Sequence, residues 1–494
     1  MRAVKAVLVT VVATLGLAAA GGDSAVAVPS VVTAARNLFV PGETFVAQGT
    51  GLTFANTDAV LHDITASDTG SNGQPLFKSR TILTGTAPVD GVQNLAPNTY
   101  PYYCTVHPEM FGLVTVLGAD VSKTPTVSLP PVTTGLGITV PTPTSIAFSP
   151  AGDSLFATSY TLNSVFRMPV LPGGLLGPAT EHATGFDSPL GVTVGSDGTV
   201  YVADSYPSTR PGRQRDGRVW AVPAAGGAAA DVGHVVVSEL PNGRHNTNNL
   251  AIAGDRIYIT NGNGTDDGVA GGQPEEPPWS GALLSVPLSA RGLTPSNSPP
   301  GALVVEARGM RNLYDVAFRP GAAREAWITM NGPDALAPFG EDLLLKATVS
   351  DPTDLTWAAA DFGFPGCVYR AGPSGEPVVG QNPVVAATQP CSPSHRPPEQ
   401  VLGLHPSADG LAFGPGPENG YWGGDLFVAE FGSFNDNAGH KIVRVPVDGA
   451  GHSGRPVDFF VGAAPLDVAF GPAGTGLYVA DFATGQITLL RAPV

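Results

Sequence analysis

The sequence predicts an all-β chain in two parts, a small sandwich followed by a larger disc of repeated strand units, and three observations carry this reading. The first is composition: 63 Gly and 48 Pro among 494 residues, with only 13% charged, describe short strands broken by turns rather than amphipathic helices. The second is a series of short β-branched and aromatic runs, limited by Gly, Pro, Asn and Asp, over residues 31–117. The third is a strand–turn–strand unit that returns at intervals of tens of residues from about residue 144. A hydrophobic content of 43% can supply cores for both parts and excludes extensive disorder.

Residues 1–27 read as an export signal. Arg2 and Lys5 precede an apolar run to Ala20, and Ala25-Val26-Ala27 offers a small-x-small cleavage site. A membrane anchor is the alternative, but the run is short for a span, and no later stretch is long and apolar enough to be one. The mature chain is therefore expected outside the cytoplasm, secreted or in the cell envelope. Cleavage after Ala27 removes Arg2, Lys5 and Asp23, which takes the formal charge from −16 to −17. So acidic a surface argues against nucleic acid or anionic lipid as a partner.

In the sandwich region the expected strands are 45–47, 52–56, 62–66, 100–104 and 113–116. Between the last two lies Tyr102-Tyr103-Cys104-Thr105-Val106-His107-Pro108-Glu109-Met110-Phe111-Gly112. Cys104, His107 and Met110 stand three residues apart, so one loop can turn a thiolate, an imidazole and a thioether toward one point. His62 supplies a second imidazole from upstream. Two His, one Cys and a weak axial Met suit a one-electron copper centre, whereas zinc more usually takes four donors without a thioether. Taken alone, Cys104 would read as a small buried hydrophobe and Met110 as core filler. If Cys104 binds copper, Cys367 and Cys391 remain as a pair that an exported protein can oxidise to a disulfide, the alternative being two buried thiols. The stretch TYPYYCTVHPEMFGLVTV resembles the copper loop of the plastocyanin-like cupredoxins. That resemblance covers residues 31–117 and implies a cupredoxin sandwich binding one type 1 copper ion through His62, Cys104, His107 and Met110.

Residues 118–143, rich in Thr, Pro and Val, read as a semi-rigid linker. Thereafter a unit recurs: 144–148 leading to 154–158, 190–194 to 199–204, 249–252 to 256–260, 313–318 to 325–329, 409–413 to 425–429, and 466–470 to 476–481. A third strand often follows, as at 219–222, 282–286 and 441–445. Several strands per repeat predict a β-propeller, and six units predict six blades over residues 144–494. Long insertions at 204–217, 261–281 and 348–406 are expected as loops on one face, where a site would be built.

A propeller fold does not by itself announce a chemistry. The informative residues are His245, set among amides in Asn242-Gly243-Arg244-His245-Asn246-Thr247-Asn248-Asn249, and Arg311-Asn312 one unit on. An imidazole beside a guanidinium could take a hydroxyl proton while the Arg holds an anion; a polar channel lined by water is the alternative. The segments NGRHNTNNLAI, RIYITNGNG, ARGMRNLYDVAF, DFGFPGC, HPSADGLAF, GGDLFVAEFGSFN and HKIVRVPVDG are similar to those of the pyrroloquinoline quinone (PQQ) dependent glucose/sorbosone dehydrogenases. The resemblance implies a six-bladed oxidoreductase acting on a sugar or polyol, with His245 as catalytic base. It implies that Arg311 and Asn312 face quinone and substrate, and that Asn249 and Asn263 belong to the same cofactor-binding region. This chain departs from the pattern where Asn263 replaces an Asp that orients the base, where the Glu430-Phe431-Gly432 region has no Lys, and where Ala464-Pro465-Leu466 before Asp467 has no Arg. The family's calcium suggests Thr265-Asp266-Asp267-Gly268 as an ion loop, or else a solvated acidic loop. Together these expectations describe an exported protein whose propeller oxidises a sugar or polyol and passes electrons through copper to an external redox partner. Its rival is a non-catalytic propeller used for docking, with the copper domain as carrier.

Overall fold

The computed structural model describes most of residues 30–117 and 138–492, with a further strand at 132–133. Residues 1–29, 118–131 and 134–137 lie outside the described residues, as do 206–216, 270–275, 433–437 and a few shorter loops. The expected signal peptide and most of the expected linker fall there. Among the described residues no helix is long and apolar enough to cross a membrane.

The first part is one nine-stranded mixed sheet. In spatial order its strands are Leu38–Val40, Ser30–Ala35, Leu52–Asn56, Gly85–Asp90, Lys78–Ser79, Thr65–Ala66, Asn98–Tyr103, Phe111–Leu117 and Glu43–Ala47. Leu52, Phe54 and Asn56 alternate inward, as a half-buried strand requires. Residues from both ends of the order, Val32 and Val46, share one core with Ala66, Val89 and Tyr102 from its middle, so the sheet wraps around that core. Phe54, Phe77 and Tyr102 are almost wholly buried there, and each of the two Phe rings contributes roughly 2–3 kcal/mol of burial. The expected strand at 62–66 shortens to Thr65–Ala66, because His62 makes only an isolated bridge to Ile82.

The second part contains, among the described residues, six sheets of four or five strands, each built on an antiparallel meander. They begin with the strands Pro143–Phe148, Pro189–Val194, Thr247–Ala253, Asn312–Phe318, Ala408–Phe413 and Pro465–Phe470. Each of these strands packs against the next and the last packs against the first, giving a closed, propeller-like ring. The closing sheet borrows from the far end of the chain: Val132–Thr133 and Ile138–Thr139 both pair with Gln486–Arg491. The end of the expected linker is thus a clasp. Its place next to an otherwise unpaired C-terminal strand edge explains the difference. The 348–406 insertion likewise holds a hairpin, Cys367–Ala371 with Pro377–Gln381, and the outer strand Gln400–Gly403.

Every inner strand carries a register shift, at 143/146, 189/191, 247/250, 313/316, 408/411 and 465/467. A bulge frees one amide from the ladder, and in each sheet that amide finds a side chain near the axis. Ile146 and Val468 donate to the two oxygens of Asp467, at 2.7 and 2.8 Å. Val316 and Leu411 donate to those of Asp315, at 2.7 and 2.9 Å. Val192 donates to Ser145 Oγ at 3.2 Å and Leu250 to Asn249 Oδ1 at 2.9 Å. Burial raises both Asp315 and Asp467 above the ordinary carboxylate range, and the Asp467 charge adds to the rise at Asp315.

Candidate metal centre and propeller mouth

The hairpin Asn98–Tyr103 and Phe111–Leu117 presents the loop that holds Cys104, His107 and Met110. Cys104 N–H donates to Met110 O, and Met110 N–H to His107 O, each at 2.9 Å, so the loop closes on itself. Pro108 and Glu109 lie outside the described residues. His62 arrives from the opposite side, held by paired backbone bonds with Ile82. Its Nδ1 lies 3.1 Å from His107 Nδ1 and 3.6 Å from Cys104 Sγ; His107 Nδ1 is 3.9 Å from the same sulfur. Two imidazole nitrogens and a thiol that all lie within 4.8 Å of one another could hold a metal ion.

The surroundings fix these groups. His62 Nε2 faces Asp58 Oδ2 at 3.1 Å, a carboxylate partner that sets the tautomer leaving Nδ1 free. Asn56 Nδ2 donates to the carbonyls of Val60, Ile82 and Leu83, bracing the turn before His62. Asp63 N–H points at Cys104 Sγ from 3.5 Å. His62, Cys104 and Met110 are buried, whereas His107 reaches the surface. Sequence reasoning named the four donors but not Asp58, Asn56 or Asp63, whose carboxylates and amide resemble ordinary turn residues.

In the second part His245 and Asn312 converge over Gly262, where an added Cβ would lie 2.5 Å from His245 Cβ and 2.9 Å from Asn312 Oδ1. His245 Nδ1 meets Asn263 Oδ1 at 2.7 Å. An amide oxygen only accepts, so Nδ1 carries the proton and Nε2 keeps its lone pair. Burial, then the Arg311 charge, pushes His245 down to about 3, so the ring stays neutral. Asn312 joins an amide chain, accepting from Asn248 at 2.9 Å and donating to Asn331 at 2.7 Å. Asn249 does not join this mouth network: it is buried near the axis, where Ser145 Oγ donates to its Oδ1 at 3.0 Å.

Arg311 is deeply buried and already satisfied. It donates to Asp266 O at 2.9 Å and Asn331 O at 3.2 Å, and pairs with the Asp266 carboxylate. Arg244 bridges Asp266 and Asp334. The Asp266 carboxyl is accordingly held below its usual range despite burial. This acidic loop neutralises guanidinium charge, which leaves it poorly suited to calcium. The structure also joins Cys367 to Cys391 by a disulfide.

The holo pyranose dehydrogenase PQQ domain from Coprinopsis cinerea aligns at TM-score 0.57 and 16% identity, covering 73% of this chain and 94% of its own. The apo aldose sugar dehydrogenase from Escherichia coli aligns at TM-score 0.53 and 15% identity, covering 73% and 99%. The larger part of the chain shares their propeller fold. A purple cupredoxin from Nitrosopumilus maritimus aligns at 28% identity over 18% of this chain and 99% of its own, with a TM-score of 0.16. The NHL repeat family model matches residues 186–209. No curated protein matches the sequence.

Proposed function

We propose that this chain is an exported copper protein that carries single electrons, built as a cupredoxin-type domain tethered to a six-bladed propeller that receives a neutral sugar or polyol. The observation that carries the proposal is the convergence of His62 Nδ1, His107 Nδ1 and Cys104 Sγ within 3.1–3.9 Å. The donor set fits copper: His62, Cys104 and His107 would hold the ion, with the Met110 thioether as a further donor, and bound there it would supply one-electron oxidation and reduction. The protein's own part is to hold three buried donors in place and to leave one imidazole edge, His107, open to a redox partner.

At the mouth, the neutral His245 and the amides of Asn248, Asn312 and Asn331 offer hydrogen bonds without net charge, which suits a hydroxyl-rich ligand. The residues do not fit PQQ, whose carboxylates call for free positive charge; Arg311 is buried and already paired with Asp266. No step is therefore assigned to that cofactor or to calcium. Catalytic sugar or polyol oxidation is the second reading, favoured by the neighbours' fold and by His245 keeping an unprotonated Nε2 beside Arg311 and Asn312.

Loading the purified full-length chain with cupric salt tests the first claim. An intense visible thiolate-to-copper band is expected, lost in Cys104→Ser; a colourless loaded protein refutes it. Adding aldoses and polyols, with and without PQQ and calcium, separates the two readings. Binding heat without bleaching of the copper colour supports the binding propeller, whereas bleaching that His245→Gln abolishes supports oxidation.

A further inference from the structure

We propose that Cys367, Cys391 and His395 form a second metal site, for an ion of the zinc class, that exists only when the disulfide is reduced. The two Sγ atoms and His395 Nδ1 all lie within 4.8 Å of one another, with Nδ1 3.1 Å from Cys367 Sγ. The Ser392 N–H donates to that same Nδ1 at 3.1 Å, which marks it as the unprotonated nitrogen; a metal ion would displace this amide to take the lone pair. Gly363, at φ +84°, leaves the space these groups occupy. A Cβ there would lie 2.5 Å from His395 Nδ1 and 2.7 Å from Cys367 Sγ.

The three donors are held by more than the sulfur–sulfur bond. Cys391 N–H donates to Gln381 Oε1 at 2.7 Å, and Gln381 Nε2 donates to Gly366 O at 3.0 Å. Asn382 Nδ2 reaches Asp267 O and Pro365 O at 2.8 and 2.9 Å, and Arg396 N–H donates to Asp361 O at 2.7 Å. Opening the bridge therefore leaves both sulfurs within ligating reach. Cys391 and His395 line an open cavity of about 490 Å³, with room for a solvent ligand in a fourth position. Two thiolates and one imidazole with an open position are a zinc set, unlike the single thiolate and two imidazoles of the first site.

The chemistry balances with an external dithiol as reductant. Its two electrons and two protons break the sulfur–sulfur bond and form two thiols, and the dithiol becomes a disulfide. The metal then replaces both thiol protons, which go to solvent. In the oxidised chain neither sulfur is a thiolate, so the bridge gates the site.

The test uses the full-length Cys104→Ser chain, which removes the first site's thiolate, and cobalt(II) as probe after reduction with a phosphine. One equivalent is expected to bind with thiolate-to-cobalt absorption, only in the reduced chain, and to be displaced by zinc. Cys391→Ser should abolish the absorption; His395→Ala should weaken binding at least tenfold and His395→Cys restore it. A bridge that resists excess phosphine in the folded chain overturns the proposal. So does a reduced chain of native circular dichroism without the absorption, or His395→Ala binding as tightly as its parent.

Discussion

Asp63 ties the segment that bears His62 to the loop that bears Cys104, and its removal tests whether the donors are preset. Its buried carboxylate accepts from Thr105 N–H at 2.8 Å, Thr105 Oγ1 at 2.5 Å and Thr81 Oγ1 at 2.8 Å. Thr81 and Thr105 are exposed, so after Asp63→Ala their hydroxyls can turn to water. The Thr105 amide and the vacated space remain. One unsatisfied donor costs ~1–3 kcal/mol and the lost packing about 1 more, giving roughly 2–4 kcal/mol. Asp63→Asn keeps an oxygen for the amide and offers an N–H₂ to hydroxyls that can rotate to accept, so it should cost about 1 kcal/mol. Cys104 is the free thiol among the described residues and is fully buried, so its labelling by a maleimide in the copper-free chain reports local opening. Asp63→Ala should label roughly 30- to 1,000-fold faster than the parent and Asp63→Asn within about tenfold of it, at ~1.4 kcal/mol per decade. Equal rates for parent and Asp63→Ala, or for the two variants, would refute the clamp.

Three further outcomes follow from the propeller. Gly410 sits where an added Cβ would lie 2.2 Å from Asp467 Oδ1 and 2.5 Å from its Cα, whereas at Gly449 nothing lies within 4 Å. Gly410→Ala should lower stability by ~1–3 kcal/mol and Gly449→Ala leave it unchanged, as read by chemical denaturation. His245 in the folded chain resists protonation to about 3, while the unfolded ring takes a proton near 6.5. Its contribution to stability is thus complete above 6.5 and lost as pH falls from there toward 3; His245→Gln should flatten that part of the denaturation-versus-pH curve. Asp342 is pushed the other way, up to about 6 by burial, so it weakens the fold as pH rises from its ordinary 3.8 through 6. Asp342→Asn should shrink that decline, at the expense of an amide bond from Gly332 or Ala408.

What could be read in advance follows from how far apart the cooperating residues lie. Cys104, His107 and Met110 share one seven-residue loop, and a blade's strands are consecutive, so spacing alone exposes both. The six inner bulges are invisible in the same text. A pleat breaks at 247/250 only because the freed Leu250 amide finds Asn249 Oδ1, and at 408/411 because Leu411 finds Asp315, 96 residues away. Asn249 illustrates the error this produces: beside His245 in sequence it looks like part of one site, yet the bulge turns it toward the axis and Ser145.

The mouth shows the same limit in its charges. Arg311 in isolation promises a free cation for an anionic cofactor, and Asp266-Asp267 promises an anionic loop for a cation. The fold brings the two promises together, 45 residues apart in the chain, and each cancels the other. Asp266→Asn is therefore the informative perturbation. It leaves the Asp266 backbone carbonyl on Arg311 Nε and removes the nearer of two opposing charges, the Asp334 carboxylate lying 3.6 Å from the same guanidinium. If neutralisation is what keeps anions out, the variant should gain affinity for a polycarboxylate such as PQQ by at least tenfold in calorimetry while the parent shows none, with the gain falling as salt rises. Equal affinity in parent and variant would mean that the charge of Arg311 was never available to the mouth, and that its role is to hold the 266–268 loop.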